Sequence, residues 1–366
     1  MVRRPVALFV LLALLAAEAS AEIVVGVAAP LSGAFAPIGR EIEAGVREAA
    51  RAINEAGGID GESLVVEALD DKCDAATGAA VANQLVGRGA VLVVGHACTA
   101  AALPAAAVYA ANGIVFISPA ATNPRLTDEA VGPAVFRLAP RSDGQAVAIA
   151  GYLSERWDGR RVAFAHDGSV YGQGFVDAVR TAFEATGNRS AATLAFTPGE
   201  DSQNALAGDL QDGLVDAVVI GGLQADAAVI AGEIRARGLD AAIIGNESLA
   251  LEEFRDLAGA AAEGAVFAVP EPVATGGTTA GALAERLAAE GIDPPGLAPP
   301  AHAAVEVWAS AVGAVGSRDA LAVAAELRRG PHDSIVGPVS FDARGDRAGP
   351  TWRLMTWRGG RPVPLD

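Results

Sequence analysis

Residues 91–118 read VLVVGHACTAAALPAAAVYAANGIVFIS, and this stretch decides the fold. VLVVG is a short apolar strand, ALPAAAVYAANG a helix closed by Asn-Gly, and IVFIS a second strand. A strand, a helix and a strand in direct succession predict a parallel sheet covered by helices. Just past the first strand stand His96, Cys98 and Thr99. An open parallel sheet places its working atoms at that point. These side chains suit a nucleophile with its base, a metal site, or a set of groups that only holds a ligand.

The same rhythm extends in both directions. Upstream, EIVVGVAAP (22–30) reads as a strand and EIEAGVREAARAINEAGG (41–58) as an amphipathic helix stopped by a glycine pair. SLVVEALD follows as a strand and AATGAAVANQLVGRG as a helix. Near residue 140 the pattern starts again with the helix DGQAVAIAGYLSERW, the strand RVAFAHD and the helix GFVDAVRTAFEATG. SAATLAF, a helix over 201–213, VDAVVIGG, ADAAVIAGEIRARG and AAIIGN continue it. The expected fold class is α/β, with two similar Rossmann-like lobes of parallel sheet flanked by helices. The Pro-rich stretch 270–300 reads as a crossing segment and loops around one helix, followed by helices over 301–315 and 317–329. The tail, 336–365, reads as strands with turns.

Composition agrees with this architecture. The chain has 366 residues, enough for two domains, and its 51 % hydrophobic share comes with only 5 % aromatics. That mix suits helices packed on a sheet and does not suit disorder. Residues 1–21 stand apart: Arg3 and Arg4, the apolar run VALFVLLALLAA, then Ala19-Ser20-Ala21. This is the layout of a secretory signal peptide, with an uncleaved anchor as the alternative. No cysteine follows the cleavage site, so lipid attachment there is not expected. Removal of 1–21 takes away two arginines and Glu18, moving the formal charge from −17 to −18. So acidic a chain repels phosphate backbones and anionic surfaces, which argues against nucleic-acid and membrane-surface partners.

The two cysteines, Cys73 and Cys98, are an even count in an exported chain and argue for one disulfide. A metal site from Cys73, His96 and Cys98 lacks a fourth ligand and the usual paired-cysteine spacing; a free thiol is the third reading. Other polar groups gather at strand ends: Ser32-Gly33, SPAATNP (118–124), HDGSVYGQGF (166–175) and IIGNES (243–248). Each also reads as an ordinary turn or helix cap. Catalysis finds little support. A disulfide removes the Cys98 thiolate, Ser32 has no evident His–Asp partners, and the adjacency of His166 and Asp167 is not a triad. The expectation is a chain that is not an enzyme, with no cofactor and no metal.

Taken in order, VGVAAPLSGAFAPIG, GVREAARAINEAGGIDG, DDKCDAATGAAVANQLV, VVGHACTAAALPAA, ISPAATNPRLT, HDGSVYGQG, GNES and GPVSFDARGD resemble the type I periplasmic binding proteins. The nearest branch is the Leu/Ile/Val-binding one, which serves ABC importers. The resemblance implies two lobes joined by a hinge of three chain crossings, near residues 140, 269 and 345, with the ligand in the cleft between them. It assigns 22–140 plus 269–345 to the N-terminal lobe and 141–268 plus 346–366 to the C-terminal lobe. It also supports a Cys73–Cys98 disulfide, with Cys98 at the edge of the ligand site. Carried over by position, Thr99, Ala120 and Thr122, with Ala121 between them, would hold an α-carboxylate. Glu247, Tyr171 and the Ala120 carbonyl would face the ammonium.

The chain also departs from the family pattern. Ile38 and Leu223 stand where aromatic rings are common, and Ala97 replaces a larger apolar residue. Those positions shape the side-chain pocket, so the amino-acid head group is read more firmly than a Leu/Ile/Val side chain. The implied function is capture of a small zwitterion, an aliphatic or branched-chain amino acid, by hinge closure in the periplasm. A monomer would then hand it to an inner-membrane permease with its ATPase. The alternatives are a binder of an amide, urea or aromatic acid, or the ligand-sensing module of a receptor.

Overall fold

The computed structural model describes residues 22–129, 131–270, 278–292, 296–349 and 352–365. The export segment expected over 1–21 lies outside these residues. The chain opens with β1 (Glu22–Ala29), α1 (Ala36–Glu55), β2 (Ser63–Asp70), α2 (Ala75–Gly87), β3 (Leu92–Gly95), α3 (Thr99–Ala111) and β4 (Val115–Ser118). A single helical turn, α4 (Arg125–Asp128), leads to β5 (Val135–Arg137). These five strands form one wholly parallel sheet in the order β2-β1-β3-β4-β5.

The second run comprises α5 (Ser142–Arg156), β6 (Val162–His166), α6 (Val170–Ala185), β7 (Ser190–Ala195), α7 (Asn204–Asp212), β8 (Ala217–Gly221), α8 (Gln224–Ala236) and β9 (Ala242–Gly245). A 3-10 turn over Glu247–Ala250, α9 (Glu252–Ala258) and β10 (Val266–Pro270) complete it. Three helices follow: α10 (Thr278–Ala289), α11 (Ala298–Val315) and α12 (Ala320–Leu327). The chain closes on β11 (Trp352–Arg358) and β12 (Arg361–Pro364). The second sheet runs β12-β11-β10-β9-β8-β6-β7, parallel except where β11 and β12 join antiparallel at its edge.

Strand alternation sorts each sheet's side chains onto two cores. Val25, Val27, Leu92, Val94, Val115 and Ile117 face α1, α11 and α12, where Trp308 is wholly buried. Ala28, Val93 and Phe116 face α2 and α3 on the other side. In the second sheet Ala163, Ala165, Val218 and Ile220 pack under α8 and α9, while Phe164 and Val219 pack under α5 and α6. Since α10–α12 cover the first sheet, the chain passes between sheets after β5, again after β10, and again between Asp346 and β11. β10 runs to Pro270 within the second sheet.

Several helices start earlier than their apolar periodicity suggests. α1 begins at Ala36 and α11 at Ala298 because each carries proline in its first turn, where a missing N–H costs nothing. α6 begins at Val170 rather than near Gly174, capped by the Ser169 hydroxyl, which accepts from Gly172 N at 2.9 Å. Tyr171 is therefore in a helical first turn and not in a loop. The three-residue β5, and β10 ahead of the Pro-rich stretch, are held by strand neighbours more than by a local pattern of their own.

A candidate ligand site at the strand ends

Gly95 ends β3 with φ +139, and a Cβ there would overlap the Ala28 carbonyl oxygen of β1. Only glycine fits that turn, which swings the chain from the strand into His96. The imidazole is fully buried: Nδ1 lies 2.7 Å from Asp71 Oδ2 and Nε2 lies 3.0 Å from the Tyr109 hydroxyl. Asp71 Oδ1 accepts from Cys73 N at 2.9 Å, and Cys73 is joined to Cys98 with a Cα separation of 5.2 Å. The disulfide removes both thiols from nucleophilic or metal chemistry, and both ring nitrogens of His96 are already engaged. The geometry makes His96 a brace under the site. Among the described residues no group of three His, Cys, Asp or Glu side chains is arranged to hold a metal.

The loop before α2 stores backbone strain for the same purpose. Lys72 and Cys73 sit at φ 53 and 56, a region costly for non-glycine residues. Asp70 Oδ1 accepts from Lys72 N at 3.0 Å, and the bonds from Asp71 and Cys98 complete the clamp. Ser32, one of the strand-end candidates, donates to Asp70 Oδ2 at 2.5 Å and so ties the β1 loop to the end of β2.

Cys98 is the N-cap of α3 in extended geometry, with no side-chain cap, and Thr99 is the buried first residue of that helix. The uncapped end carries the positive pole of the helix dipole. Alongside it, Ser118 donates to the His96 carbonyl at 2.9 Å and accepts from Ala121 N at 3.0 Å. That pair of bonds sets the course of Ala120, Ala121 and Thr122. The Thr122 hydroxyl is buried without a hydrogen-bond partner. Its neighbour Asn123 reaches the second lobe's α6, where a Cβ on Gly174 would stand 2.9 Å from Asn123 Nδ2. Beneath this loop, the buried Arg137 donates to the Asn123 carbonyl at 2.6 Å and pairs with Asp346 at 2.5 Å.

On the second sheet, Tyr171 donates to Glu247 Oε1 at 2.8 Å. Burial and the Glu247 charge both push the Tyr171 hydroxyl well above the usual phenol range, so it stays a donor. Gln145 of α5 donates through Nε2 to Glu247 Oε2 at 2.7 Å. Asn246 is wholly buried and structural, donating to the Gly222 carbonyl at 2.9 Å and accepting from Ser248 N at 2.9 Å. His166 accepts from Gly168 N at 3.1 Å, while Asp167 accepts from Ser169, so this pair shapes the entry to α6.

The first turn of α5 spans the two halves. Ser142 N donates to the Thr122 carbonyl at 2.9 Å, and Gln145, three residues on, reaches Glu247. Thr122 and Gln145 each keep one buried polar atom unpaired, Oγ1 and Oε1. An unpaired buried polar atom is costly, and the Thr122 hydroxyl, in the loop held by Ser142 N of α5, marks a place built for a guest. Ile38 is half-buried in the first turn of α1 and leans on the first sheet's core; Leu223, half-buried, is the N-cap of α8. Sequence reading missed Asp71, Tyr109 and Gln145, and it included Ser118 only as part of the strand-end stretch SPAATNP. One signal was present: Asp71 and His96 each precede a cysteine by two residues.

A family model described as "Periplasmic binding protein" matches residues 22–361. A Leu/Ile/Val-binding protein homolog from Brucella abortus is 32 % identical over 342 residues, covering 93 % of this chain and 91 % of the relative. Among solved structures, the branched-chain amino acid transporter substrate-binding protein LivJ of Streptococcus pneumoniae, in complex with isoleucine, has a TM-score of 0.79 at 26 % identity. The match covers 94 % of this chain and 100 % of that one. An ABC transporter substrate-binding protein of Desulfitobacterium hafniense in complex with Leu has a TM-score of 0.74 at 26 % identity, with the same coverage.

Proposed function

We propose, from the premise that this chain belongs to the periplasmic binding protein family, that it captures a small zwitterionic amino acid for an ABC importer. Members of this family bind and release; they are not enzymes. The observation that carries the reading is the pairing of opposite electrostatic ends across the first turn of α5. On one side lie the uncapped α3 N-terminus with Thr99 and the unpartnered Thr122 hydroxyl. On the other lies Glu247, fixed by Tyr171 and Gln145. An α-carboxylate suits the first and an α-ammonium the second. Both charges need a partner, because an unpaired buried charge costs several kcal/mol.

In this reading the lobes are those expected from sequence, the chain passages between the sheets form the hinge, and the ligand bridges Thr99, Ala120, Ala121 and Thr122 to Tyr171 and Glu247. Ile38 and Leu223 bound the side-chain pocket. Contact with both lobes at once is available only in the closed form, so ligand shifts the population toward closure. Micromolar affinity corresponds to about −8 kcal/mol, within reach of two matched charges and a modest apolar pocket. The site of action is the periplasm, reached through an export signal in 1–21. The closed monomer is read by an inner-membrane permease with its ATPase.

Calorimetric titration of the refolded, ligand-stripped protein with free amino acids, their amides, urea and aromatic acids tests this. Glu247→Gln is run alongside and is expected to weaken an amino acid by about 2–5 kcal/mol through the lost counter-charge. Binding only of an amide or acid, indifferent to Glu247, overturns the amino-acid function.

A further inference from the structure

Gln145 is fully buried, yet it belongs to none of the positions carried over from the resemblance. Its amide nitrogen donates twice, to Glu247 Oε2 at 2.7 Å and to the Ala268 carbonyl at 3.1 Å. Its amide oxygen is buried and unpaired. An apolar side chain of that size would remove the unpaired oxygen, so what the amide contributes is its donor end. The second of these bonds joins α5, which follows the first passage between the sheets, to β10, and the first joins α5 to the 3-10 turn that carries Glu247. The Glu247 carboxylate is held on its other oxygen by Tyr171.

We propose that Gln145 is a positioning and specificity-determining residue: it fixes the Glu247 carboxylate so that the site prefers ligands bearing an ammonium group. The proposal rests on the reading that Glu247 receives that group. With both Glu247 oxygens tied from opposite sides, the carboxylate cannot rotate to satisfy itself elsewhere, and a ligand cation meets it pre-oriented. Because Gln145 also holds the Ala268 carbonyl, the orientation of Glu247 is set by the same side chain that ties α5 to β10.

The test compares L-leucine with 4-methylpentanoate, its counterpart without the amino group, by calorimetry on the full-length mature protein. Wild type is expected to prefer leucine strongly. Gln145→Met, close in size but without a donor, is expected to lose at least tenfold in leucine affinity with 4-methylpentanoate unchanged, so that the ratio collapses. A role in folding alone would weaken both ligands together, and that result overturns the proposal. In a Glu247→Gln background, Gln145→Met should leave the ratio where Glu247→Gln alone puts it. If the methionine variant does not fold, Gln145→Asn, which withdraws the amide by one methylene, is held to the same ratio. A wild type indifferent to the amino group removes the amino-acid reading itself. A wild type that prefers leucine, with the preference kept in the Gln145 variant, removes only the role of Gln145.

Discussion

Thr122→Val should make the ligand-free protein more stable and a worse binder at the same time. Thr122 is 7 % exposed and its hydroxyl has no partner, while its carbonyl is occupied by Ser142 N. Leaving a buried hydroxyl unpaired costs about 1–3 kcal/mol, and valine has nearly the same shape without that burden. The stripped variant is therefore expected to gain about 1–2 kcal/mol, which for a chain of this length raises the melting temperature by roughly 1–3 °C. In the complex the hydroxyl would donate to a carboxylate, a charge-assisted bond worth about 1.5–3 kcal/mol, so affinity should fall by roughly 10- to 150-fold. Ligand-induced stabilisation at a given leucine concentration shrinks accordingly. The assays are thermal unfolding of the stripped protein and calorimetric titration with leucine. A variant that is less stable when stripped, with leucine affinity unchanged, would refute the reasoning, since the hydroxyl would then be serving the fold.

Other expectations concern the framework around the site. Asp346→Asn leaves the buried Arg137 without its carboxylate and should cost about 3–5 kcal/mol, measured by denaturant unfolding. Burial pushes the Asp346 carboxyl up, but Arg137, Arg141 and Thr127 together outweigh it and hold it below the usual carboxylate range. Its contribution is thus fully present above the unfolded value near ~3.9 and is lost as pH falls through the lower folded value. Wild type should lose stability in that acid window, and Asp346→Asn should lose less. Reduction of Cys73–Cys98 opens a loop with a sequence separation of 25 residues. Loop entropy sets the loss at about 3 kcal/mol, visible as a lower melting temperature with reductant. Because the same bond braces the start of α3, leucine affinity should fall with it.

The parts legible in the sequence share a cause. β1 to β4 and α2 to α3 announce themselves by local period and by the turns that end them, and the physics that forms them acts between near neighbours. That polar residues gather after β3 and β4 was legible because strand ends and helix starts are local features, whereas the roles proposed for Thr99 and Thr122 rest on the family resemblance. The pairing of Cys73 with Cys98 followed from a count of two. Elements with weak local signals escaped: β5 is three residues long, and the first turn of α6 hides behind glycines that look like loop.

Sequence by itself determined that this is an α/β chain of two alternating runs, strongly acidic, with its polar residues gathered past the strand ends. Tertiary structure alone decided what those residues do. His96 became a brace through Asp71, Glu247 a held carboxylate through Tyr171 and Gln145, and Arg137 the anchor of the Thr122 loop through Asp346. The partners lie 25, 76, 102 and 209 residues apart along the chain. No periodicity spans such distances. Only when the sheets order their strands do these side chains meet, and burial then turns each meeting from a surface accident into a requirement.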